Sequence, residues 1–240
     1  MIVGERDTTQ RLTPYVTYGL IGLNVLVFLY ELLLSPDILF GSISPGSSAE
    51  SFIYTYGSIP KDVLSMNRSF TLITSQFLHG SFLHIFSNML VFWFIGDDAE
   101  DVFGHVGFVV VYLIAGAVGN IVHALLVVDF LMPIWDPGMA QDWAAVPGIG
   151  ASGAIFGTLA IYALNYRKRR LRIWFGYVIF ETNAWTYALF YAGLELVLSI
   201  IEGPGGGIAH GAHIGGFITG LLLAAIWNIV RGKPISPPQV

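Results

Sequence analysis

The stretch YVTYGLIGLNVLVFLYELLL, which occupies residues Tyr15–Leu34, is interrupted by only two strongly polar residues, Asn24 and Glu31. A helix needs about 20 predominantly apolar residues to cross the hydrocarbon core of a bilayer. The stretch is long enough for this, and we predict that it forms a membrane-spanning helix. Because it is as long as a full span, we also expect it to remain uncleaved as a signal anchor.

Five further apolar runs follow along the chain. We therefore predict an all-α, polytopic membrane protein, built as a bundle of six transmembrane helices. A shorter apolar run at 173–180 cannot span a bilayer alone, and we interpret it as an interfacial or re-entrant segment. The five longer runs are residues 82–96, 106–128, 149–166, 184–201 and 208–230.

The overall composition supports this class. Of the 240 residues, 55% are hydrophobic and 11% are charged, whereas soluble domains carry roughly 25% charged residues. The chain contains no cysteine, which excludes disulfide scaffolds, thiol nucleophiles and cysteine-based zinc sites. We expect a lipid bilayer around the protein, and we expect no cofactor, no metal and no nucleic acid as partners.

The basic residues predict how the chain is oriented. If the six runs span the membrane and the N-terminus is cytoplasmic, nine of the 11 Lys and Arg residues lie on the cytoplasmic side, and only Lys61 and Arg68 lie outside. Positive charge is enriched in cytoplasmic loops. We therefore expect cytoplasmic tails at 1–14 and 231–240 around one six-helix domain at 15–230. Because the chain shows no transit peptide or soluble extension, we expect a prokaryotic plasma (inner) membrane rather than an organelle.

Polar residues inside three of the predicted spans indicate a shared site. Spans two, four and six all run from the outside to the inside. With a rise of about 1.5 Å per residue, Ser152 lies roughly 5 Å below the start of its span, His213 roughly 7 Å, and His84 and Asn88 roughly 3 and 9 Å. Such groups are costly in hydrocarbon unless they have partners or water. Their similar depth predicts a polar site that opens to the external face.

Each of these residues also has a simpler interpretation. A single serine in a helix rich in small residues usually contributes to packing, and a single histidine in a span often makes a structural hydrogen bond. His210 and His213 are spaced as HxxH, which is a weak metal signal without a third ligand. Three G-x-x-x-G pairs predict close helix contacts beside these residues: Gly153 with Gly157, Gly211 with Gly215, and Gly216 with Gly220.

Three motifs together resemble one known family. The chain reads FLHGSFLHIFSNM at 77–89, GASGAIFG at 150–157 and AHIGGF at 212–217. In this order, on spans two, four and six, the motifs closely resemble those of the rhomboid intramembrane serine proteases, and the resemblance extends over about residues 15–230. It implies a six-helix fold and hydrolysis of peptide bonds in or near the transmembrane segments of membrane-protein substrates.

The resemblance also implies roles for individual residues. Ser152 matches the nucleophile and His213 the general base of a Ser–His dyad. His84 and Asn88 match residues that help the backbone N–H of Ser152 to form the oxyanion hole. The remaining matches are supporting positions: Gly150, His79, Phe156 (the aromatic residue that packs on the catalytic imidazole), and the further motif of Gly96, Glu100 and Gly104.

The expected chemistry is acyl transfer. A serine hydroxyl is a weak nucleophile until a base takes its proton, and neutral His213 is such a base. Glu195 and Glu202 lie near the outer end of the fifth predicted span, and no carboxylate is obviously placed to orient His213. We therefore expect a dyad without a third acid. The glycine-rich segment 203–207 is expected to be mobile, and we hypothesise that it caps the site.

Three other functions stay open at this point. A non-catalytic rhomboid-like protein would bind transmembrane clients, although loss of the serine or the histidine usually marks such proteins. A transporter would need acidic residues deep in several spans, and these are scarce. A zinc enzyme would use His210 and His213 and would be sensitive to chelators. The sequence also lacks a clear counterpart of the Trp-Arg pair often found in the first loop of the family, with 67–70 as the nearest stretch.

Overall fold

The computed structural model describes residues 2–5, 12–130, 140–175, 177–202 and 207–232. Within these residues, four helices are long and apolar enough to cross a membrane. We label them α1 (Tyr15–Leu34), α5 (Phe82–Leu125), α8 (Ala184–Ile201) and α9 (His210–Val230). A shorter apolar helix, α7 (Ser152–Asn165), has 14 residues. The prediction of a mostly helical membrane protein is confirmed.

Helix α5 corresponds to two of the predicted spans. Its backbone is interrupted at Gly104, which has φ 71° and ψ 168°. Glycine adopts positive φ without the steric cost that a side chain would bring, so the chain changes direction there between the predicted runs 82–96 and 106–128. The structure thus accounts for all six apolar runs. That each of them spans a bilayer, and that 15–230 forms one domain, stay predictions.

The helix α7 lies at the centre of the fold. Every residue from Gly153 to Leu164 is buried, and α7 packs against α5, α8 and α9. A helix that is apolar on all sides has to be enclosed by other helices. The short α7 is therefore enclosed by α5, α8 and α9.

Glycines allow α7 and α9 to touch through their backbones. A Cβ atom added to Gly216 would lie only 2.8 Å from the carbonyl carbon of Gly153, and one added to Gly220 would lie 2.6 Å from that of Gly157. On another face of α9, a Cβ at Gly215 would lie 2.7 Å from the Cβ of Val122 in α5. The close contacts predicted from the G-x-x-x-G spacing are confirmed.

The first long connection folds into short helices between α1 and α5. They are α2 (Ser48–Tyr56), α3 (Pro60–Leu64) and α4 (Thr71–Thr74), with 3-10 turns at Pro36–Phe40 and Ser75–Phe77. Arg68, in the stretch 67–70, donates to the carbonyl oxygen of Tyr54 at 2.9 Å. It also lies 3.5 Å from a carboxylate oxygen of Asp62. Arg68 therefore links α2 to α3 within this connection.

The supporting motif around Glu100 joins α5 to the start of α1. The buried Glu100 carboxylate accepts the backbone N–H groups of Val16 at 3.1 Å and Thr17 at 2.8 Å, and also the Thr17 hydroxyl at 2.8 Å. The first N–H groups of a helix have no partners within the helix. Glu100 thus caps α1, and Gly96 gives the room for contact, because a Cβ there would lie 2.7 Å from Thr17 Cγ2.

A small antiparallel sheet is the one element type that the sequence analysis did not predict. Its strands are β1 (Ile2–Glu5), β2 (Arg170–Phe175) and β3 (Val178–Asn183), in the order β1-β2-β3. The segment 173–180, interpreted as interfacial or re-entrant, lies in the β2–β3 hairpin. Leu171 and Ile173 are buried while Arg172 is exposed. This alternation has the period of a strand. The remaining short helix, α6 (Ala140–Trp143), lies before α7.

Candidate active site

Ser152 and His213 meet at the N-terminal ends of the two central helices. Ser152 is the first residue of α7, and His213 lies in the first turn of α9. The Oγ atom of Ser152 lies 2.8 Å from Nε2 of His213, which is hydrogen-bond distance. Because α7 and α9 start at the same level and their backbones touch at Gly153 and Gly216, two residues that are 61 positions apart come into direct contact.

Phe156 holds the imidazole ring of His213 from one face. The ring centroids of Phe156 and His213 are 4.4 Å apart and the planes differ by only 9°. Phe156 lies one helical turn after Ser152, so both side chains project from the same face of α7. On its other side, Phe156 contacts Tyr191 of α8, with a centroid distance of 5.1 Å. The orientation of the His213 ring is therefore restricted by packing as well as by hydrogen bonds.

A carboxylate also contacts His213, and the expectation of a dyad without a nearby acid is wrong in this respect. Oε2 of Glu195 lies 2.8 Å from Nδ1 of His213. Glu195 is on α8, and its side chain is buried between α8 and α9. The C-terminal part of α8 packs against α9, but the order of residues along the chain does not give the rotation of α8 that brings Glu195 to His213. A signal was available, since an ionisable residue within a span needs a partner.

His210 belongs to the same cluster. Its Nδ1 lies 2.6 Å from Oε2 of Glu195, and its Nε2 lies 3.3 Å from Oε2 of Glu202. Donor atoms of Glu195, His210 and His213 all lie within 4.8 Å of one another, a spacing that is compatible with a metal site. The HxxH pair of His210 and His213 therefore has a third potential metal ligand, the carboxylate of Glu195. In this structure, however, the Nδ1 atoms of both histidines are engaged with the carboxylate.

His84, Asn88 and Gly150 lie together beside the serine. A Cβ added to Gly150 would be 2.8 Å from Nε2 of His84 and 3.7 Å from Nδ2 of Asn88. Gly150 also has φ +121°, a conformation that residues with side chains rarely adopt. Its N–H donates to the carbonyl oxygen of Ser75 at 2.9 Å. This position therefore requires glycine for space and for conformation, and it brings the polar groups of α5 close to the start of α7.

His79 supports Asn88 from the side away from Gly150. The ring of His79 is fully buried, and its Nε2 lies 3.0 Å from Nδ2 of Asn88. Burial, together with the nearby charge of His84, lowers the pKa of His79 to about 3. A neutral ring can accept the amide proton of Asn88. The backbone N–H of His79 donates to the carboxylate of Glu31 at 3.2 Å, so α1 also anchors this part of the site.

The residues selected from the sequence thus form two adjoining groups. One is centred on Ser152 and His213, and the other lies around Gly150. The segment 203–206, which carries most of the hypothesised cap, lies outside the described residues. Sequence reasoning missed the contacts of Glu195, Glu202 and Glu31. His105 bonds to Glu100, and His123 lies against Gly211.

Similarity to known proteins identifies the family of this chain. Residues 67–228 match the family described as the Rhomboid domain. This match covers more than half of the chain and includes Ser152, His213, His84 and Asn88. The chain belongs to the rhomboid family. Together with the long apolar helices, membership shows that it is an integral membrane protein.

Several curated rhomboid proteins are similar over most of the chain. The Bacillus subtilis (strain 168) protein "Rhomboid protease GluP" is 29% identical over 230 residues, which cover 95% of this chain and 38% of that protein. "Rhomboid protein 1, mitochondrial" from Saccharomyces cerevisiae is 25% identical over 90% of this chain and 54% of its own length. "Rhomboid protease AarA" from Providencia stuartii is 24% identical over 91% of this chain and 74% of its own. The chain thus spans about half or less of the first two relatives.

Proposed function

We propose that this rhomboid is an intramembrane serine endopeptidase that hydrolyses peptide bonds in or near transmembrane segments of other membrane proteins. One observation carries the proposal: Oγ of Ser152 lies 2.8 Å from Nε2 of His213, whose ring is stacked on Phe156. A hydroxyl paired with an oriented imidazole is the arrangement of an activated nucleophile. Two curated relatives are named rhomboid proteases.

The geometry supports the following sequence of proton transfers. His213 Nε2 takes the proton of the Ser152 hydroxyl while Oγ forms a bond to the substrate carbonyl carbon. The resulting tetrahedral intermediate collapses when Nε2 returns this proton to the leaving nitrogen and the C–N bond breaks. Water then attacks the acyl-enzyme with His213 again as the base. The products are two peptide segments, and Ser152 is regenerated.

The negative oxygen of the intermediate needs donors. The backbone N–H of Ser152 lies in the first turn of α7, where N–H groups have no partner within the helix. Nε2 of His84 and Nδ2 of Asn88 lie beside Gly150, two residues before the nucleophile. Removing one oxyanion donor typically costs about 10²–10³ in rate. We assign His84, Asn88 and the Ser152 N–H to this role.

The proposal includes the membrane orientation. Arg167, Lys168, Arg169, Arg170 and Arg172 follow the inner end of α7, and positive charge favours the cytoplasmic side. Ser152 and His213 lie at the opposite ends of their helices. With both termini in the cytoplasm, the site opens toward the external face, where water is available for hydrolysis. A prokaryotic plasma membrane remains our proposed location, and transmembrane proteins are the proposed substrates.

The test compares the wild type with Ser152→Ala and His213→Ala in detergent and in liposomes that contain a model single-span substrate. We expect cleavage by the wild type and a loss of about 10³-fold or more in each variant, because the nucleophile and its base act as one unit. A fluorophosphonate probe should label the wild type but not Ser152→Ala. Cleavage that survives Ser152→Ala would overturn the proposal.

The cluster of Glu195, His210 and His213 supports a second candidate, a zinc hydrolase. The two functions are separated by one experiment. A zinc enzyme loses activity after dialysis against a strong chelator and regains it with Zn²⁺, whereas the serine mechanism is unaffected by chelation. A non-catalytic rhomboid would show neither cleavage nor labelling of Ser152.

A further inference from the structure

We propose that Glu195 is a positioning residue that completes a Ser–His–Glu triad with Ser152 and His213. This inference rests on the proposed function. Glu195 would fix His213 in the reactive tautomer and stabilise the imidazolium that forms when Ser152 loses its proton. The proposal is carried by the hydrogen bond of 2.8 Å between Oε2 of Glu195 and Nδ1 of His213.

The two nitrogens of His213 face different partners. An ionised carboxylate only accepts hydrogen bonds, so Nδ1 must carry the proton that it donates to Glu195. In the neutral ring, Nε2 is then the unprotonated nitrogen, and it lies 2.8 Å from Ser152 Oγ. The carboxylate thus selects the tautomer whose lone pair points at the nucleophile. Without it, the competing tautomer would present an N–H to the serine hydroxyl.

His210 is a second partner of the buried Glu195 carboxylate. Only 3% of His210 and 5% of Glu195 are exposed. A buried charge is tolerated when it is paired and hydrogen-bonded. His210 contacts Glu195 through Nδ1 and Glu202 through Nε2. His210 therefore links the two carboxylates and restricts the position of Glu195.

The position of Glu195 favours the proposed proton transfer. When His213 receives the Ser152 proton, the imidazolium lies 2.8 Å from the carboxylate of Glu195. An opposite charge at such a distance stabilises the charged form of a group. Glu202 is partly exposed, with 38% of its side chain accessible, and it links the cluster to the outer surface.

The test replaces Glu195 in two ways. Glu195→Gln keeps the size but removes the charge, and Glu195→Asp keeps the charge but shortens the side chain. We expect Glu195→Gln to lower kcat by about 10²-fold or more, as loss of the orienting acid does in other serine hydrolases, with little change in KM. The rate of fluorophosphonate labelling of Ser152 should fall by a similar factor. Glu195→Asp should be more active than Glu195→Gln.

The order of the two variants distinguishes a charge effect from a packing effect. If Glu195 only fills space, the isosteric Glu195→Gln would be the more active and the more stable of the two. That order, or a kcat of Glu195→Gln within threefold of the wild type, would overturn the inference. Glu181→Gln is the matched control, because this carboxylate pairs with Arg170 and Arg172 on the β2–β3 hairpin, and it should leave kcat unchanged. Thermal unfolding in detergent verifies that each variant is folded.

Failure of this inference is distinct from failure of the proposed function. If Ser152→Ala abolishes cleavage but Glu195→Gln does not reduce it, the proposed protease function is supported and the proposed role of Glu195 is wrong. If Ser152→Ala remains active, both the proposed function and the role of Glu195 are wrong.

Discussion

The contact between α7 and α9 at Gly216 gives the most specific test of how the helices create the active site. Gly216 lies three residues after His213, and it touches Gly153, which follows Ser152. An added Cβ would lie 2.8 Å from the carbonyl carbon of Gly153. Carbon atoms in contact are normally about 3.5–4.0 Å apart. Gly216→Ala therefore requires the two backbones to separate by about 1 Å at this level.

This displacement acts directly on the reacting atoms. The Ser152–His213 bond is 2.8 Å long, and a separation of about 1 Å would lengthen it to about 3.8 Å, beyond hydrogen-bond range. A misplacement of about 1 Å can cost roughly 10²-fold in rate. We therefore expect Gly216→Ala to lower kcat by about 10²-fold, and to slow fluorophosphonate labelling of Ser152 accordingly.

The assay measures cleavage of a single-span substrate in liposomes, labelling of Ser152, and the thermal unfolding temperature of the same preparations. Gly22→Ala is the matched control, because Gly22 lies in α1 and an added Cβ would meet no atom within 4 Å. Gly220→Ala places a similar clash one turn further from His213, so it should lower stability with a smaller loss of kcat. A folded Gly216→Ala protein with the kcat of the wild type would refute the reasoning.

Two further predictions concern residues beside the reacting pair. Phe156→Ala removes the ring stacked on His213 and leaves a cavity, so the free energy of unfolding should fall by about 3 kcal/mol and kcat should fall as well. Thermal unfolding and a cleavage assay measure the two effects. An unchanged kcat would show that the stacking is not needed for catalysis. His79→Gln tests the pH dependence of stability. The pKa of His79 is lowered to about 3 in the fold. Below about pH 6.5 the unfolded chain therefore binds a proton at this residue that the folded protein does not bind. As the pH decreases, His79 thus lowers the free energy of unfolding by up to about 1.4 kcal/mol per pH unit. His79→Gln should flatten that fall between pH 6 and pH 4, as measured by thermal unfolding, and an unchanged slope would contradict the assignment.

Length and apolar composition were sufficient to locate the long helices, although not the short helices of the connections. The bounds of α1 and α8 agree with the predicted runs at Tyr15–Leu34 and Ala184–Ile201, because the need to cover about 30 Å of hydrocarbon acts on each helix separately. The sheet was missed because β2 and β3 are short, and their apolar residues resemble part of a span. Pairing with β1, near the other end of the chain, is what makes them strands.

The candidate site shows where sequence reasoning ends. Helix depth and motif spacing brought Ser152, His213, His84 and Asn88 to one level, because rise per residue is a local property of the helix. The contact of Glu195 with His213 depends instead on how α8 is rotated and packed against α9, and no local rule gives that rotation. The amino-acid sequence by itself determined the membrane class and which residues share one level of the bundle, whereas only the tertiary structure decided which carboxylate reaches the imidazole. The reason is that a hydrogen bond requires positions to be accurate within a few tenths of an ångström, and such accuracy comes from the packing of side chains between helices.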